Sequence, residues 1–300
     1  MIAVNNLQID FAIIGAPKSG STSLYDYFAS VRDLVTISEA KDFPVFSRPG
    51  EIEARFKSLH SFGYKIKSQK PQVIGDVNIC FDKTHLQALS EKSPNVRLIL
   101  LMRSPRERIL SAYSFNSERL LEDRSLQTAL NEEAIGVLPE KGTKDWLQKS
   151  YFQHSDYEKM IKVCTQVFRK EQLLVLDFDD LVRSFPSVLS CLTDFMGIPF
   201  DSCKALPKSN VTSGQLRFRF LSKVLFQGER KSKFWYFSRK IISQTNRSKI
   251  RFWLRQMMRA KSRPHYVPTL DEQKLSEAAR KELYRLEKNY IFLKKQFGLN

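Results

Sequence analysis

The N-terminal part of the chain contains two apolar runs, each followed by a helical pattern. Residues 11–14 are continuously apolar, and large apolar side chains then recur at helical spacing at Leu24, Tyr25 and Phe28. Residues 95–103, with the sequence NVRLILLMR, form a second run, and a helical stretch follows it. Short apolar runs of this kind are typical of strands buried on both faces of a parallel sheet.

Strand and helix patterns continue to alternate from Phe11 to Gly197. This alternation predicts an α/β fold with a single doubly wound, mainly parallel sheet flanked by helices. Residues 270–297 then predict a long helix in a helical, basic C-terminal part. With 300 residues and 42% hydrophobic content, the chain can build one large core, so we expect a single domain over residues 1–300.

The loop between the first strand and helix has the composition of a phosphate-binding site. It ends at a helix N-terminus, where unpaired N–H groups and the helix dipole favour an anion. Gly15 and Gly20 permit a tight turn and a close backbone approach, and Lys18 adds a positive charge. Its hydroxyl donors are Ser19, Ser21, Thr22 and Ser23.

The position of the lysine separates this loop from the nucleoside-triphosphate loop GxxxxGK[ST]. Gly15 and Gly20 have the required separation, but Ser21 stands where that motif has its lysine, and Lys18 lies inside the loop. The pattern therefore does not favour cleavage of a magnesium-bound triphosphate. An ordinary strand–turn–helix remains an alternative interpretation of this segment alone.

A second candidate site follows the second apolar run. Arg103 would lie at the carboxyl end of a strand, where open α/β sheets bind ligands. Pro105 suits a first helical turn, Ser104 suits an N-cap, and Ser111 follows two turns later. Alternatively, Arg103 pairs with a nearby acid and Ser111 is a surface hydroxyl.

Together the two motifs, GAPKSGSTSL at residues 15–24 and RSPRERILSAYSF at residues 103–115, resemble those of sulfotransferases that use 3′-phosphoadenosine 5′-phosphosulfate (PAPS). The resemblance implies the P-loop-like fold of that family. It also implies that the first loop grips the 5′-phosphosulfate, and that Arg103 and Ser111 bind the 3′-phosphate. Lys18 would stabilise the leaving phosphate oxygen.

Weaker similarity to the same family covers most of the chain. It involves residues 38–47, 74–77, 150–151, 172–180, 195–198 and 210–219. Residues 210–219 resemble the family's late nucleotide-binding loop, and residues 150–151 resemble the start of one of its helices. By this resemblance the further nucleotide contacts are Pro17, Tyr151, Ser213, Gly214 and Arg217.

Sulfuryl transfer to a hydroxyl also needs a base, and a carboxylate suits that role. By position in the resemblance the base is Asp42, where most members have glutamate and where Pro44 replaces the usual histidine. Glu39 and Asp76 are alternatives, and Asp76 could instead orient Lys18 or the base. Glu39 and Asp42 could also be solvated loop charges.

The formal net charge of +17 is concentrated in residues 217–263, which hold fifteen lysines or arginines against the single acid Glu229. Aromatic residues are interleaved with these charges, and we expect a basic, aromatic-rich helical insertion within the domain. The composition fits an anionic polysaccharide or an anionic membrane surface, or aromatics packed on the core beneath solvated charges. No compact nucleic-acid motif accompanies it, so a nucleic-acid partner is not expected.

Cysteine and histidine spacing indicates neither a metal site nor a disulfide framework. The cysteines Cys80, Cys164, Cys191 and Cys203 are far apart, as expected for core thiols in a reducing compartment. No run approaches the roughly 20 apolar residues of a membrane span. We therefore expect a cytoplasmic protein, peripheral to a membrane at most. A Golgi lumen location would require that an N-terminal anchor had been removed.

Two classes of function remain open. The first is a PAPS-dependent sulfotransferase that forms 3′-phosphoadenosine 5′-phosphate (PAP), requires no metal and sulfates a hydroxyl or amine, with a carbohydrate or glycolipid as the favoured acceptor. The second is a non-catalytic nucleotide-binding or anionic-membrane-binding module. A P-loop kinase-type enzyme is a less favoured third interpretation, because that chemistry relies on Mg²⁺.

Overall fold

The structure, a computed structural model, describes residues 9–37, 41, 69–119, 121–200, 205–207 and 268–299. Its strands are β1 (Phe11–Gly15), β2 (Thr36–Ile37), β3 (Gln72–Gly75), β4 (Arg97–Met102) and β5 (Leu173–Asp177). Its helices are α1 (Ser21–Ser30), α2 (Lys83–Lys92), α3 (Pro105–Glu118), α4 (Leu126–Ala134), α5 (Lys144–Lys149), α6 (Tyr157–Thr165), α7 (Phe178–Arg183), α8 (Phe185–Met196) and α9 (Glu277–Gln296). Short 3₁₀ turns lie at Ile79–Phe81, Gln153–Ser155, Lys170–Gln172 and Glu272–Lys274.

The five strands form one parallel sheet in the order β2-β3-β1-β4-β5, which confirms the predicted fold class. The chain leaves β1 towards β2 on one side and leaves β4 towards β5 on the other side. The carboxyl ends of β1 and β4 are therefore the topological switch point, where sheets of this type bind ligands.

The sheet is buried because the apolar runs supply a packing surface on both faces. Ala12, Ile14 and Leu98 belong to one apolar cluster, which also contains side chains of α2, α6 and α9. Phe11 and Ile13 point the other way and pack with α1, α7 and α8. Successive strand residues alternate between faces, so an uninterrupted apolar run is what a doubly covered strand requires.

The chain divides into two compact units. The first comprises Met1–Arg108, Phe152–Asn210 and Lys281–Asn300, and it contains the whole sheet. The second comprises Ile109–Tyr151 and Val211–Arg280, and its described part is helical. The single domain over residues 1–300 stays a prediction. So does the insertion at 217–263, which lies outside the described residues.

Two sequence-based expectations are wrong in detail. No helix opens at Ser150–Tyr151, because α6 begins only at Tyr157, where the Asp156 side chain accepts a hydrogen bond from the Lys159 N–H and caps the helix. Cys191 is exposed on α8, whereas Cys80 and Cys164 are buried core thiols as expected. Within the described ranges, no helix combines the length and apolar character needed to cross a membrane.

Candidate functional site

Three neighbouring strand ends bring the predicted groups of the first unit together. The loop of residues 15–20 follows β1, Asp76 follows β3 on one side of it, and Arg103 follows β4 on the other. The Arg103 Nη1 donates a hydrogen bond to the Lys18 carbonyl oxygen at 3.4 Å. Residues that lie about 85 positions apart in the chain are thus in direct contact.

The loop turns sharply and presents the start of α1. Lys18 and Gly20 have positive φ angles of 70° and 89°, a conformation that favours glycine and is uncommon for lysine. Gly20 is the N-cap of α1, and no side chain of the described residues caps this end of the helix. The first N–H groups of α1 therefore remain available to an anion, as the loop composition predicts.

Both loop glycines lie where a larger side chain would collide with the core. A Cβ atom at Gly15 would stand 2.6 Å from the Cys80 Sγ and 3.1 Å from the Leu100 Cδ1. At Gly20 it would stand 2.9 Å from both Phe178 and Leu181. The loop thus packs directly against side chains of the first unit, and this contact limits how far its backbone can shift.

Arg103 is held from several directions. Its Nε donates to the Glu107 carboxylate at 3.1 Å, and its guanidinium carbon lies 4.2 Å from the ring centroid of Phe178. Arg103 therefore pairs with an acid, as the alternative interpretation expected. The pair is partly exposed, since the side chain of Arg103 is 21% exposed and that of Glu107 is 51% exposed. A guanidinium has five N–H donors, so the contacts to Glu107 and Lys18 leave donors for a ligand.

A second arginine supports the loop from beneath, and sequence analysis missed it. Arg108 is 1% exposed, its Nε donates to the Ser155 Oγ at 2.6 Å, and its Nη1 donates to the Pro17 carbonyl at 3.4 Å. Consecutive carbonyls of the loop, those of Pro17 and Lys18, thus each accept from an arginine. A helical arginine usually lies in solvent, so nothing in its spacing distinguished Arg108.

His154 lies in the same buried region. Its ring stacks on Phe81 with centroids 4.1 Å apart, and burial, with a smaller contribution from the Arg108 charge, lowers the pKa of His154 well below its usual value. The imidazole is therefore neutral at physiological pH. Its 1% exposure argues against direct contact with an acceptor.

Asp76 is buried beside the loop. Its N–H donates to the Ile13 carbonyl at 3.1 Å, and its Oδ1 accepts from the Asn78 N–H at 3.2 Å. Lys41 also reaches this strand end, since its Cγ lies 3.3 Å from where a Cβ of Gly75 would stand. Lys41 directly precedes the predicted base Asp42, and its own position was not predicted.

Two predicted nucleotide contacts belong to the second unit. Ser111 is half-buried on α3. Tyr151 is fully buried, and its hydroxyl donates to the Glu122 carboxylate at 3.0 Å and accepts from the Asn116 amide at 3.3 Å. Burial is the main reason that the pKa of Tyr151 lies far above its usual value. The structure gives Tyr151 a place in an internal network, and its contact with a nucleotide stays a prediction.

The remaining predicted residues lie outside the described part of the chain. These are the base candidates Glu39 and Asp42 and the late-loop residues Ser213, Gly214 and Arg217. Among the residues that the structure describes, no cluster of histidine, cysteine and carboxylate side chains could hold a metal ion.

The described part of the first unit offers an anion two kinds of group, the open N-terminus of α1 and the guanidinium of Arg103. It places one buried carboxylate, Asp76, beside them. Such an arrangement can bind a phosphorylated ligand and stabilise negative charge that develops on it.

Among the solved structures compared, one with a TM-score above 0.5 supports the same fold. A sulfotransferase from Alicyclobacillus acidocaldarius aligns with a TM-score of 0.56 and 21% identity, over 68% of this chain and 85% of its own. The sulfotransferase domain from the curacin biosynthetic pathway aligns with a TM-score of 0.47 and 16% identity, over 94% and 98%. A mouse sulfotransferase complexed with PAP aligns with a TM-score of 0.43 and 14% identity, over 87% and 89%.

A search of curated protein sequences finds no match. The sequence model of the sulfotransferase domain, however, matches residues 8–267, which include both phosphate motifs and most of the chain. The chain belongs to the sulfotransferase domain family.

Proposed function

We propose that this protein transfers the sulfuryl group of PAPS to a hydroxyl or amine of an acceptor, and that the acceptor is a carbohydrate or glycolipid. Membership of the sulfotransferase domain family supports sulfuryl transfer in general. We infer the identity of the donor, the class of the acceptor and the roles of the residues from the two motifs and from the contacts of the first unit.

The observation that carries the proposal is the contact between the two motifs. The Arg103 guanidinium donates to the Lys18 carbonyl at 3.4 Å, at the carboxyl ends of the neighbouring strands β1 and β4. A nucleotide with phosphates at two positions needs two anion sites within one crevice. The loop would hold the 5′-phosphosulfate, and Arg103, with Ser111, would hold the 3′-phosphate.

The proposed reaction is an in-line displacement at sulfur. The acceptor oxygen or nitrogen forms a bond to sulfur while the bond from sulfur to the bridging phosphate oxygen breaks, and PAP leaves with that electron pair. Lys18 stabilises the charge that grows on the leaving oxygen. A carboxylate takes the acceptor proton, and Asp42 is proposed as this base, with Glu39 and Asp76 as the alternatives.

Titration with PAP tests the donor site. The wild-type protein should bind PAP, and Lys18→Ala and Arg103→Ala should each weaken binding about tenfold to a hundredfold, since each removes a charged hydrogen-bonding group. The exposed residues Lys159 and Arg183 provide matched controls, and Lys159→Ala and Arg183→Ala should bind like the wild type. Absence of PAP binding, or equal effects of all four substitutions, contradicts the proposal.

Transfer of labelled sulfate from PAPS tests the acceptor and the base. A screen across polysaccharides, glycolipids and small alcohols should give a labelled carbohydrate or glycolipid. Asp42→Asn should remove transfer while leaving PAP affinity unchanged. If Asp42→Asn retains transfer, Asp42 is not the base, and Glu39→Gln and Asp76→Asn then test the two alternatives; if no acceptor is labelled, the protein does not sulfate these classes.

A further inference from the structure

Tyr157 lies outside both phosphate motifs, yet its hydroxyl joins them. It accepts a hydrogen bond from the Arg103 N–H at 3.1 Å and donates one to the Arg103 carbonyl at 2.8 Å. It also lies 3.5 Å from the Ser19 Oγ in the loop after β1. The Tyr157 hydroxyl thus bonds to both the N–H and the carbonyl of Arg103, and it also contacts the loop.

The chemistry of a phenol fixes the direction of these bonds. A tyrosine hydroxyl has one proton, and the short contact to the Arg103 carbonyl uses it. The Ser19 hydroxyl must then be the donor in the third contact. Tyr157 is 2% exposed and Ser19 is fully buried, so water does not compete for these bonds.

Tyr157 does not have the properties of a base. Burial, partly offset by the Arg108 charge and by hydrogen bonds from Ser19 and Arg103, raises the pKa of its hydroxyl. The group therefore stays protonated at physiological pH, and its proton is already used by Arg103. A role in holding geometry fits both observations.

The C-terminal helix α9 holds Tyr157 in place. The Tyr157 ring contacts that of Tyr290, with centroids 6.2 Å apart, and the Tyr290 hydroxyl donates to the buried Asp177 carboxylate at 2.5 Å. Arg285 donates to Asp156, the residue that caps α6 directly before Tyr157, at 2.8 Å. The tyrosine thus has packing on its ring as well as bonds at its hydroxyl.

We infer that Tyr157 is a positioning residue that sets the geometry of Arg103 relative to the phosphate loop, and so the affinity of the donor nucleotide site. The inference rests on the proposed function. Helices α6 and α9 lie outside both phosphate motifs, and through Tyr157 they would contribute to nucleotide binding.

Tyr157→Phe tests this directly, because phenylalanine keeps the ring and its contact with Tyr290 and removes only the hydroxyl. We expect PAP to bind about tenfold more weakly. Tyr27→Phe is the matched control: Tyr27 is also buried, its ring packs against Phe185, and it lies outside both phosphate motifs. The control should lose stability without a comparable loss of PAP affinity.

A double-mutant cycle separates positioning from general damage. If Tyr157 acts through Arg103, Tyr157→Phe should weaken PAP binding by less than about twofold once Arg103→Ala is present. An equal loss in both backgrounds would show that the hydroxyl does not act through Arg103. Unchanged PAP binding in Tyr157→Phe would also overturn the inference.

Hydrogen exchange supplies a readout that needs no ligand. The Arg103 N–H loses its acceptor in Tyr157→Phe, so its exchange should become faster than in the wild type and in Tyr27→Phe. Unchanged exchange would contradict the positioning role even if the proposed function holds. If the wild type binds no PAP, the proposed function fails, and the exchange result still decides what Tyr157 does.

If Tyr157→Phe does not fold, 3,5-difluorotyrosine at position 157 keeps the hydroxyl and makes it a weaker acceptor. The Arg103 N–H should then exchange faster than in the wild type, because its acceptor is weaker. Unchanged exchange would overturn the inference.

Discussion

At the scale of single residues, the phosphate loop depends on where its glycines lie. Gly20 has a positive φ of 89° and is crowded by Phe178 and Leu181, so it needs glycine for two reasons. Gly15 has no positive φ, and only space requires glycine there. The side chains packed beneath the loop therefore restrict both positions to glycine.

Gly15→Ala should lower the free energy of unfolding by about 1–3 kcal/mol, because the new methyl group overlaps the Cys80 Sγ and Leu100. Urea denaturation measures the change. Cys80→Ala removes the sulfur that causes the closest contact, so the double variant should recover part of the loss in a double-mutant cycle. Equal losses from Gly15→Ala in both backgrounds would show that the collision with Cys80 is not the cause.

At the scale of elements, a buried carboxylate at the end of β5 contacts side chains of α9. The Asp177 Oδ2 accepts from Tyr290, its Oδ1 accepts from the Asp179 N–H at 2.9 Å, and the Lys294 Nζ lies 3.8 Å away. Burial raises the pKa of Asp177, although these contacts act in the opposite direction. The residue directly follows the last apolar position of β5.

The raised pKa gives Asp177 a definite effect on stability. Its folded-state pKa lies above the unfolded value, so the stability it contributes is complete below about pH 4 and is lost as pH rises through the folded-state pKa. Relative to Asp177→Asn, the wild type should therefore lose stability as pH rises from about 4 towards neutrality.

Urea unfolding of both proteins across this pH range measures the difference. Asp271 provides a control of opposite sign, because its hydrogen bond with Lys274 lowers its pKa. The stability that the ionised Asp271 contributes should instead be lost as pH falls. A stability difference between the wild type and Asp177→Asn that does not vary with pH would contradict the assignment.

At the scale of the whole molecule, the net charge of +17 favours anionic partners. The proposed donor nucleotide is anionic, and an acidic polysaccharide acceptor would be so as well. If residues 217–263 bind such an acceptor, its affinity should fall steeply as added salt shortens the Debye length to about 8 Å and below.

A matched measurement uses one polysaccharide in sulfated and desulfated forms. The dissociation constant of the sulfated form should rise with salt, and that of the neutral form should change little. Replacement of several lysines and arginines within 217–263 by glutamine should remove the difference between them. Equal salt dependence of the two forms would argue against a charge-based acceptor site.

The sequence by itself determined the order of the strands and helices around both motifs and the fold class. The reason is local: an uninterrupted apolar run marks a buried strand, and glycines with hydroxyl residues mark a loop that opens a helix. Lys18 and Arg103 could be selected because each follows such a run. Helix boundaries were less certain, and α6 starts at Tyr157 because the Asp156 cap decides its position.

Only the tertiary structure decided which groups meet at the switch point. Arg108 and Tyr157 support the loop although they lie on α3 and α6, and Tyr290 reaches Asp177 from α9. In the sequence these are ordinary polar or aromatic positions on helices, because burial and hydrogen-bond partners arise only when distant segments pack together. The motifs thus name the groups that we propose bind the nucleotide, and the packed core sets their geometry.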